Sequence, residues 1–297
     1  MNMKPHFHLV PRTGEFPYLC RQHTLPNFGT NWHYHPELEF HYIIRGEGVR
    51  FIGDNISNFD SGELLLIGEN LPHMWRCNQE YFLGNPDVTA ESIVVQFLSD
   101  FMGKDFMAKR EAASIHLLFD RAKNGFVIRG KVKKQIVELM RNAIQADGLD
   151  QLLLIINMIR LLINSNDLTP ISTKWTNDHV NLEETQRINR VYNYILTNYT
   201  EEISLKEIAA VAHLTVTSFC RYFKIMTKKT FKDFLIEVRI NHAKRMLIEK
   251  KQSTTEAICF SCGFNNRSNF FKHFKEIVGC TPAEYQRQFI RPFFETI

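Results

Sequence analysis

The rhythm of apolar and polar positions changes twice along the chain. Between residues 18 and 98, short apolar or aromatic runs dominate: Glu39–Ile44, Val49–Ile52, Leu64–Ile67 and Ile93–Phe97. Gly46-Glu47-Gly48, Gly53-Asp54-Asn55 and Asp60-Ser61-Gly62 separate them, and breaks of this kind supply turns. Closely spaced short strands with such punctuation predict an antiparallel sandwich or barrel. From about Phe101 the spacing becomes helical. Ile136, Leu139, Met140, Ala143 and Ile144 form one stripe; after Asp147-Gly148, Leu152, Ile155, Ile156, Ile159, Leu162 and Ile163 form another. Such stripes most often pack on their own domain, and a heptad-like face at a domain edge also serves as a dimer seam. Ser165 to Asn181 is polar, contains Pro170 and has no period, which marks an interdomain linker. Helical spacing returns at Ile188, Val191, Tyr192 and Ile195 and continues to the end.

The last third contains an internal repeat. Ser204–Lys224 resembles Thr254–Lys275: Ile208-Ala209 matches Ile258-Cys259, and Phe219, Phe223 and Lys224 match Phe270, Phe274 and Lys275 with one extra residue in the turn. Each copy opens with a short helix bearing small residues (Ala209 and Ala212; Cys259 and Cys262), where a second helix must approach closely. A tight turn follows at His213-Leu214 or Gly263-Phe264. Thr215, and Asn265 or Asn266, are suited to N-cap the next helix. That helix buries a phenylalanine pair at i and i+4. Its other face stays polar and basic: Thr217, Ser218, Arg221 and Lys224 in one copy, Arg267, Ser268, Lys272 and Lys275 in the other. This is the pattern of a helix-turn-helix, whose second helix enters a major groove. Such motifs also occur in proteins that bind no DNA, so the duplication carries the weight. Between the copies, Thr230–Glu249 reads as one long amphipathic helix with Phe231, Phe234, Leu235, Val238 and Met246 inward. It would hold the two reading helices at fixed separation, and ~34 Å suits successive major grooves.

Charge agrees with this division. The net formal charge of +4 hides 18 Lys and Arg against 22 Asp and Glu up to Thr185, and 18 against 10 from Gln186 onward. Only the C-terminal part is equipped to meet a polyanion, although a basic face with no partner has the same charge. At 297 residues the length suits two domains, and 44% hydrophobic with 23% charged residues excludes a disordered or fibrous chain. The longest apolar stretch, Leu152–Ile163, contains Asn157 and Arg160 and is short of the ~20 residues a membrane span needs. The first residues show no secretory pattern. Six scattered cysteines suit a reducing cytoplasm better than a disulfide scaffold.

The basic part resembles the DNA-binding domain of AraC-type transcriptional regulators over about 100 residues. The resemblance rests on Arg221-Tyr222-Phe223-Lys224, Arg239-Ile240-Asn241-His242-Ala243, Gly263-Phe264, Phe270–Lys275 and Gly279–Tyr285. It implies base-facing residues Thr217, Cys220 and Arg221 in the first unit and Arg267, Ser268 and Lys272 in the second, with Lys224 and Lys275 also on the DNA face. Arg221, Arg267 and Lys272 are suited either to guanine edges or to phosphate. Cys259 and Cys262 stand where the family has small apolar residues, so core packing is the expectation for this pair.

The N-terminal part resembles a cupin barrel over residues 25–98. The resemblance rests on His33-Tyr34-His35 with Glu39 and Gly46, and on Gly62–Trp75, although the second motif lacks the usual Pro-x-Gly before His73. Family enzymes hold a divalent metal with the residues that His33, His35, Glu39 and His73 match. Three readings stay open: a metal site, a small-molecule site, and inherited barrel lining. The small-molecule reading is preferred, with Trp75, Trp32 and Arg12 as further contacts and no metal or other cofactor assigned.

The expected architecture is a two-domain α+β chain. Residues 1–165 form a cupin-like antiparallel β-barrel with trailing helices for effector binding and dimerisation. Residues 166–185 form a linker, and residues 186–297 an all-α domain with two helix-turn-helix units. The expected function is a cytoplasmic, non-enzymatic, homodimeric transcription regulator controlled by a small-molecule effector such as a sugar. Its expected partners are double-stranded promoter DNA and RNA polymerase, with no membrane. The alternatives are a cupin metalloenzyme with an accessory DNA-binding domain and a protein-binding adaptor.

Overall fold

A computed structural model of the chain describes residues 18–29, 32–173, 182–227, 229–249 and 254–290. It falls into two compact units that divide after Leu182. The first unit contains β1 (Tyr18–Leu25), β2 (Leu38–Arg45), β3 (Gly48–Ile52), β4 (Asn55–Phe59), β5 (Leu64–Ile67), β6 (His73–Cys77) and β7 (Ala90–Phe97). After these come α1 (Lys104–Met107), α2 (Ala113–Ala122), β8 (Phe126–Ile128), α3 (Gly130–Gln145), α4 (Gly148–Ile163) and β9 (Leu168–Pro170). All strand pairs are antiparallel, in one sheet ordered β1-β7-β2-β5-β8-β9 and one ordered β4-β3-β6.

The period of two decides what each strand does. On β2, Leu38 and Phe40 face α2–α4 together with Leu64, Leu66, Val95 and Phe97. Ile43, from the other face of that strand, joins Leu65, Ile67, Ile52, Phe59 and Trp75 between the two sheets. The helical stripes are also used internally: Ile136, Met140, Ala143, Ile155, Ile159 and Leu162 are all buried against the sheet.

Two sequence expectations change here. Residues 168–173, assigned to the linker, belong to the first unit. β9 pairs with β8, Ile171 is buried, and Asp54 accepts hydrogen bonds from Ser172 Oγ (2.6 Å), Thr173 N (3.1 Å) and Thr173 Oγ1 (2.8 Å). A three-residue edge strand is too short to show a period, and Pro170 is tolerated there because an edge leaves one side unpaired. Residues 174–181 lie outside the described set, and a helix already begins at Leu182.

The second unit contains α5 (Leu182–Asn198), α6 (Leu205–Val211), α7 (Val216–Thr227), α8 (Phe231–Glu249), α9 (Thr255–Ser261), α10 (Arg267–Val278) and α11 (Pro282–Ile290). The second correction concerns α8, which is buried on two sides rather than amphipathic. Phe231 and Phe234 meet Phe219 and Phe223 of α7. Ile236, Ile240, Ala243 and Leu247 meet Phe264, Phe270 and Phe274 around α9 and α10. A helix wrapped by neighbours carries apolar residues around most of its circumference. Met246, expected inward, is half-buried at the edge of the second cluster.

Candidate nucleic-acid interface and effector site

Both helix-turn-helix units are built from the same local devices. Ser204 and Glu207 form a reciprocal capping box at α6, and Thr254 Oγ1 accepts from Ala257 N at α9. The chain reverses through a left-handed residue, His213 (φ 54°) in the first unit and Gly263 (φ 81°) in the second. Leu214 N and Phe264 N then return to Ala209 O and Cys259 O. Thr215 caps α7 by accepting from Ser218 N at 3.3 Å. Asn266, rather than Asn265, caps α10 by accepting from Asn269 N at 3.2 Å. The extra residue of the second copy is therefore Asn265.

Phe219, Phe223, Phe270 and Phe274 are fully buried, and this fixes the outward face of each second helix. Thr217, Cys220, Arg221 and Lys224 on α7 are exposed, as are Arg267, Ser268, Lys272 and Lys275 on α10. Arg267 meets Glu256 at 3.3 Å and Lys272 meets Glu276 at 4.0 Å. Exposed pairs of this kind contribute at most about 1 kcal/mol, so both cations are readily released to a stronger anion. Cys259 and Cys262 are buried in the apolar cluster, where Cys262 Sγ lies 3.6 Å from Met246 Sδ.

Sequence reasoning gave Arg239 no role. It donates to Tyr199 O and Glu201 O, each at 2.7 Å, and ties α8 to the segment that joins α5 to α6. Gly263 packs on the same segment.

In the first unit, His33 and His73 exchange backbone hydrogen bonds of 3.1 and 2.8 Å, which brings two distant motifs together. Register places Gln96 of β7 beside Glu39 of β2. Glu39 Oε2 accepts from Gln96 Nε2 (2.7 Å) and His35 Nε2 (3.0 Å), and Oε1 accepts from His41 Nδ1 (2.7 Å). Burial by itself would raise the Glu39 carboxyl, but the hydrogen bonds from His35 and His41 hold it well below the usual carboxylate range. Burial would lower His35; its hydrogen bond to Glu39 and the charges of Glu39 and Glu37 raise it instead. His73 goes the other way, held well below its ordinary value by burial and then by His33.

The metal expectation is testable on these bonds. His33, His35 and His73 bring ligand-type nitrogens within 4.8 Å of one another, and Glu39 is not part of that group. His73 Nδ1 donates to Leu71 O at 2.7 Å, which leaves a lone pair on Nε2. His35 faces an acceptor at each ring nitrogen, Glu39 Oε2 and Glu37 O at 3.1 Å, and the Gln96 amide nitrogen also lies 3.4 Å from its Nε2. Both Glu39 oxygens are occupied by donors. A set of three histidines and one carboxylate around a cation does not fit this arrangement.

A small polar molecule fits better. His41 Nε2, Arg50 Nη1, His73 Nε2 and Trp75 Nε1 are buried and have no hydrogen-bond partner among the described residues. Buried polar groups in folded proteins are normally satisfied, so several orphans in one region call for a guest or for water. They share a neighbourhood: Trp75 lies 4.1 Å from the His41 ring and 5.4 Å from the His73 ring, and Arg50 is directly across from Trp75 on β3. The structure thus gathers His33, His35, Glu39, His73 and Trp75, whereas Arg12 lies outside the described residues. It adds His41, Gln96 and Arg50. His41 shares strand parity with Glu39, and Arg50 and Gln96 are polar residues inside apolar runs, so all three left a trace in the sequence.

Two capped helix-turn-helix units and a β-domain with an unsatisfied polar interior define a ligand-binding regulator of transcription. A family model described as "Helix-turn-helix domain" matches residues 208–288, and one described as "AraC-like ligand binding domain" matches residues 16–76. Both parts of the chain are therefore similar to AraC-type transcriptional regulators. It is 25% identical over 287 residues to the uncharacterized HTH-type transcriptional regulator YdeC of Bacillus subtilis (strain 168), covering 93% of this chain and 94% of that one. It is 20% identical over 279 residues to the melibiose operon regulatory protein of Escherichia coli (strain K12), covering 88% and 85%. Among solved structures, the DNA-binding domain of AdpA, a global transcriptional factor, in complex with a target DNA is similar at 25% identity and a TM-score of 0.33, covering 35% of this chain and 92% of that one.

Proposed function

We propose that α7 and α10 are the reading helices and that the interior of the β-domain binds a small hydroxylated effector of the sugar class. The exposure of Arg221, Lys224, Arg267, Lys272 and Lys275 opposite buried phenylalanines supports the first part. The orphaned nitrogens beside Trp75 support the second. Trp75 and Arg50 offer donors, neutral His73 offers an acceptor, and a hydroxyl group both donates and accepts. The name of the melibiose operon relative agrees with a sugar.

In this reading the effector acts by binding one arrangement of the regulator better than another. A second copy of the chain packs on α4, where Leu149 and Leu153 are 69% and 47% exposed and Ile156 continues the stripe. The regulator is not an enzyme; it acts at promoter DNA in the cytoplasm, and its output passes to RNA polymerase. Among the described residues no helix is long and apolar enough to cross a membrane.

Selection of bound sequences from a random duplex pool at moderate salt tests the DNA part. We expect a consensus that Arg221→Ala and Lys272→Ala each relax at different positions. A pool that shows no enrichment refutes it. A thermal-shift series with mono- and disaccharides tests the effector part. A ligand at ~100 Kd adds about 2.7 kcal/mol, and that shift should vanish in His73→Ala and Trp75→Phe.

A further inference from the structure

The two reading helices are superimposable in sequence but present different chemistry at the end that meets the bases. Thr215 and Asn266 are the caps, so Val216, Thr217 and Cys220 of α7 stand where Arg267, Ser268 and Phe271 stand on α10. On α10 the exposed residues of the first turn, Arg267, Ser268 and Asn269, all carry side chains able to hydrogen-bond, and Phe271 is half-buried. On α7 the first helical residue is a valine that remains 39% exposed, and Thr217 and Cys220 are exposed beside it. Val216 and Cys220 are one turn apart, as are Thr217 and Arg221, so the methyls and the thiol line one flank of the helix that carries Arg221. The N-terminal residues of a second helix are the ones that reach base edges. The major groove offers them one apolar feature, the thymine 5-methyl group.

We infer that the first helix-turn-helix reads thymine methyl groups through Val216, Thr217 and Cys220, with Arg221 adding a single hydrogen-bonded contact, whereas the second unit reads by hydrogen bonds. This rests on the reading of α7 and α10 as DNA-contacting helices. It means that the half-site under α7 carries two or more thymines whose methyls matter, and that the half-site under α10 does not depend on methyls.

The test uses the full-length chain and its selected duplex, with half-sites assigned by the positions that Arg221→Ala and Lys272→Ala relax. Each thymine is replaced in turn by deoxyuridine, which keeps every hydrogen-bonding group and loses only the methyl. We expect about a fourfold loss of affinity per contacted thymine under α7, the fold-change of ~0.8 kcal/mol for one buried methyl-sized group, and less than twofold under α10. Thr217→Ser keeps the hydroxyl and drops the methyl, and Val216→Ser removes the isopropyl group; both sites are exposed. Each variant should erase the uracil penalty at one position without changing the rest of the consensus. Sequence-specific binding that tolerates uracil throughout the α7 half-site would overturn this inference while leaving DNA reading by both helices intact. Failure to select any consensus would instead overturn the underlying reading.

Discussion

Gly263 and Gly279 share a left-handed backbone, at φ +81° and +85°, and differ in what surrounds them. A Cβ at Gly263 would lie 2.6 Å from Tyr199 O and 2.7 Å from Thr200 O, whereas a Cβ at Gly279 would meet nothing within 4 Å. Alanine at either position takes on a left-handed penalty of about 1–2 kcal/mol, of which about 0.4–1 kcal/mol is offset by the stiffer unfolded chain. Only Gly263→Ala also drives a methyl into two carbonyl oxygens, and relieving such overlap by backbone movement costs about 1–3 kcal/mol. We therefore expect a loss of about 1 kcal/mol for Gly279→Ala and about 2–4 kcal/mol for Gly263→Ala. A two-unit chain has no single unfolding free energy, so the readout is amide hydrogen exchange of α9 and α10 peptides in the full-length protein. At 1.36 kcal/mol per tenfold, Gly263→Ala should exchange about 5- to 150-fold faster than Gly279→Ala. Equal acceleration in the two variants would show that the second turn does not approach the α5–α6 segment as described.

Four shorter predictions accompany it. Asp54→Ala removes the acceptor of three hydrogen bonds, and Thr173 should lose amide protection by about 1–3 kcal/mol; unchanged protection would refute the clamp. His73 resists protonation in the folded unit but takes a proton near pH 6.5 when unfolded, so its own contribution to stability falls as pH drops below about 6.5, opposite in sign to that of His35; the stability change from pH 7 to pH 5, followed by tryptophan fluorescence on heating, should be less unfavourable in His73→Gln than in the unaltered chain, and an equal change would refute the assignment. Glu39→Gln leaves His35 and His41 without their shared anion and should destabilise the first unit by about 3–5 kcal/mol, measured by urea unfolding; a loss below 1 kcal/mol would contradict the buried network. Lys224→Ala should weaken binding evenly across sequences and reduce the salt slope by about 1 if the side chain grips phosphate, whereas loss of preference at one base pair would make it a base reader.

The repeat, its caps and its phenylalanine anchors were legible because each is a local pattern: Thr215 caps the short helix that holds Phe219 and Phe223. The strands β2, β3, β5 and β7 were legible for the same reason, through period and turn residues. β8 and β9 were not, since three residues cannot show a period, and their place at the sheet edge comes from pairing with Leu65 and Leu66 and with each other. The two-sided burial of α8 was hidden because a helix enclosed by two partners looks, in one dimension, like an imperfect amphipath.

What the chain determined by itself was therefore every feature carried by near neighbours, including which residues α7 and α10 expose. The tertiary structure alone decided which distant polar groups share a site. Strand register placed Gln96 on Glu39, and the His33–His73 bridge closed the cluster around groups that have no partner of their own. Local sequence sets dihedral preferences and one face of an element at a time; a buried polar site is defined by pairings across strands, and those energies exist only once the strands have met.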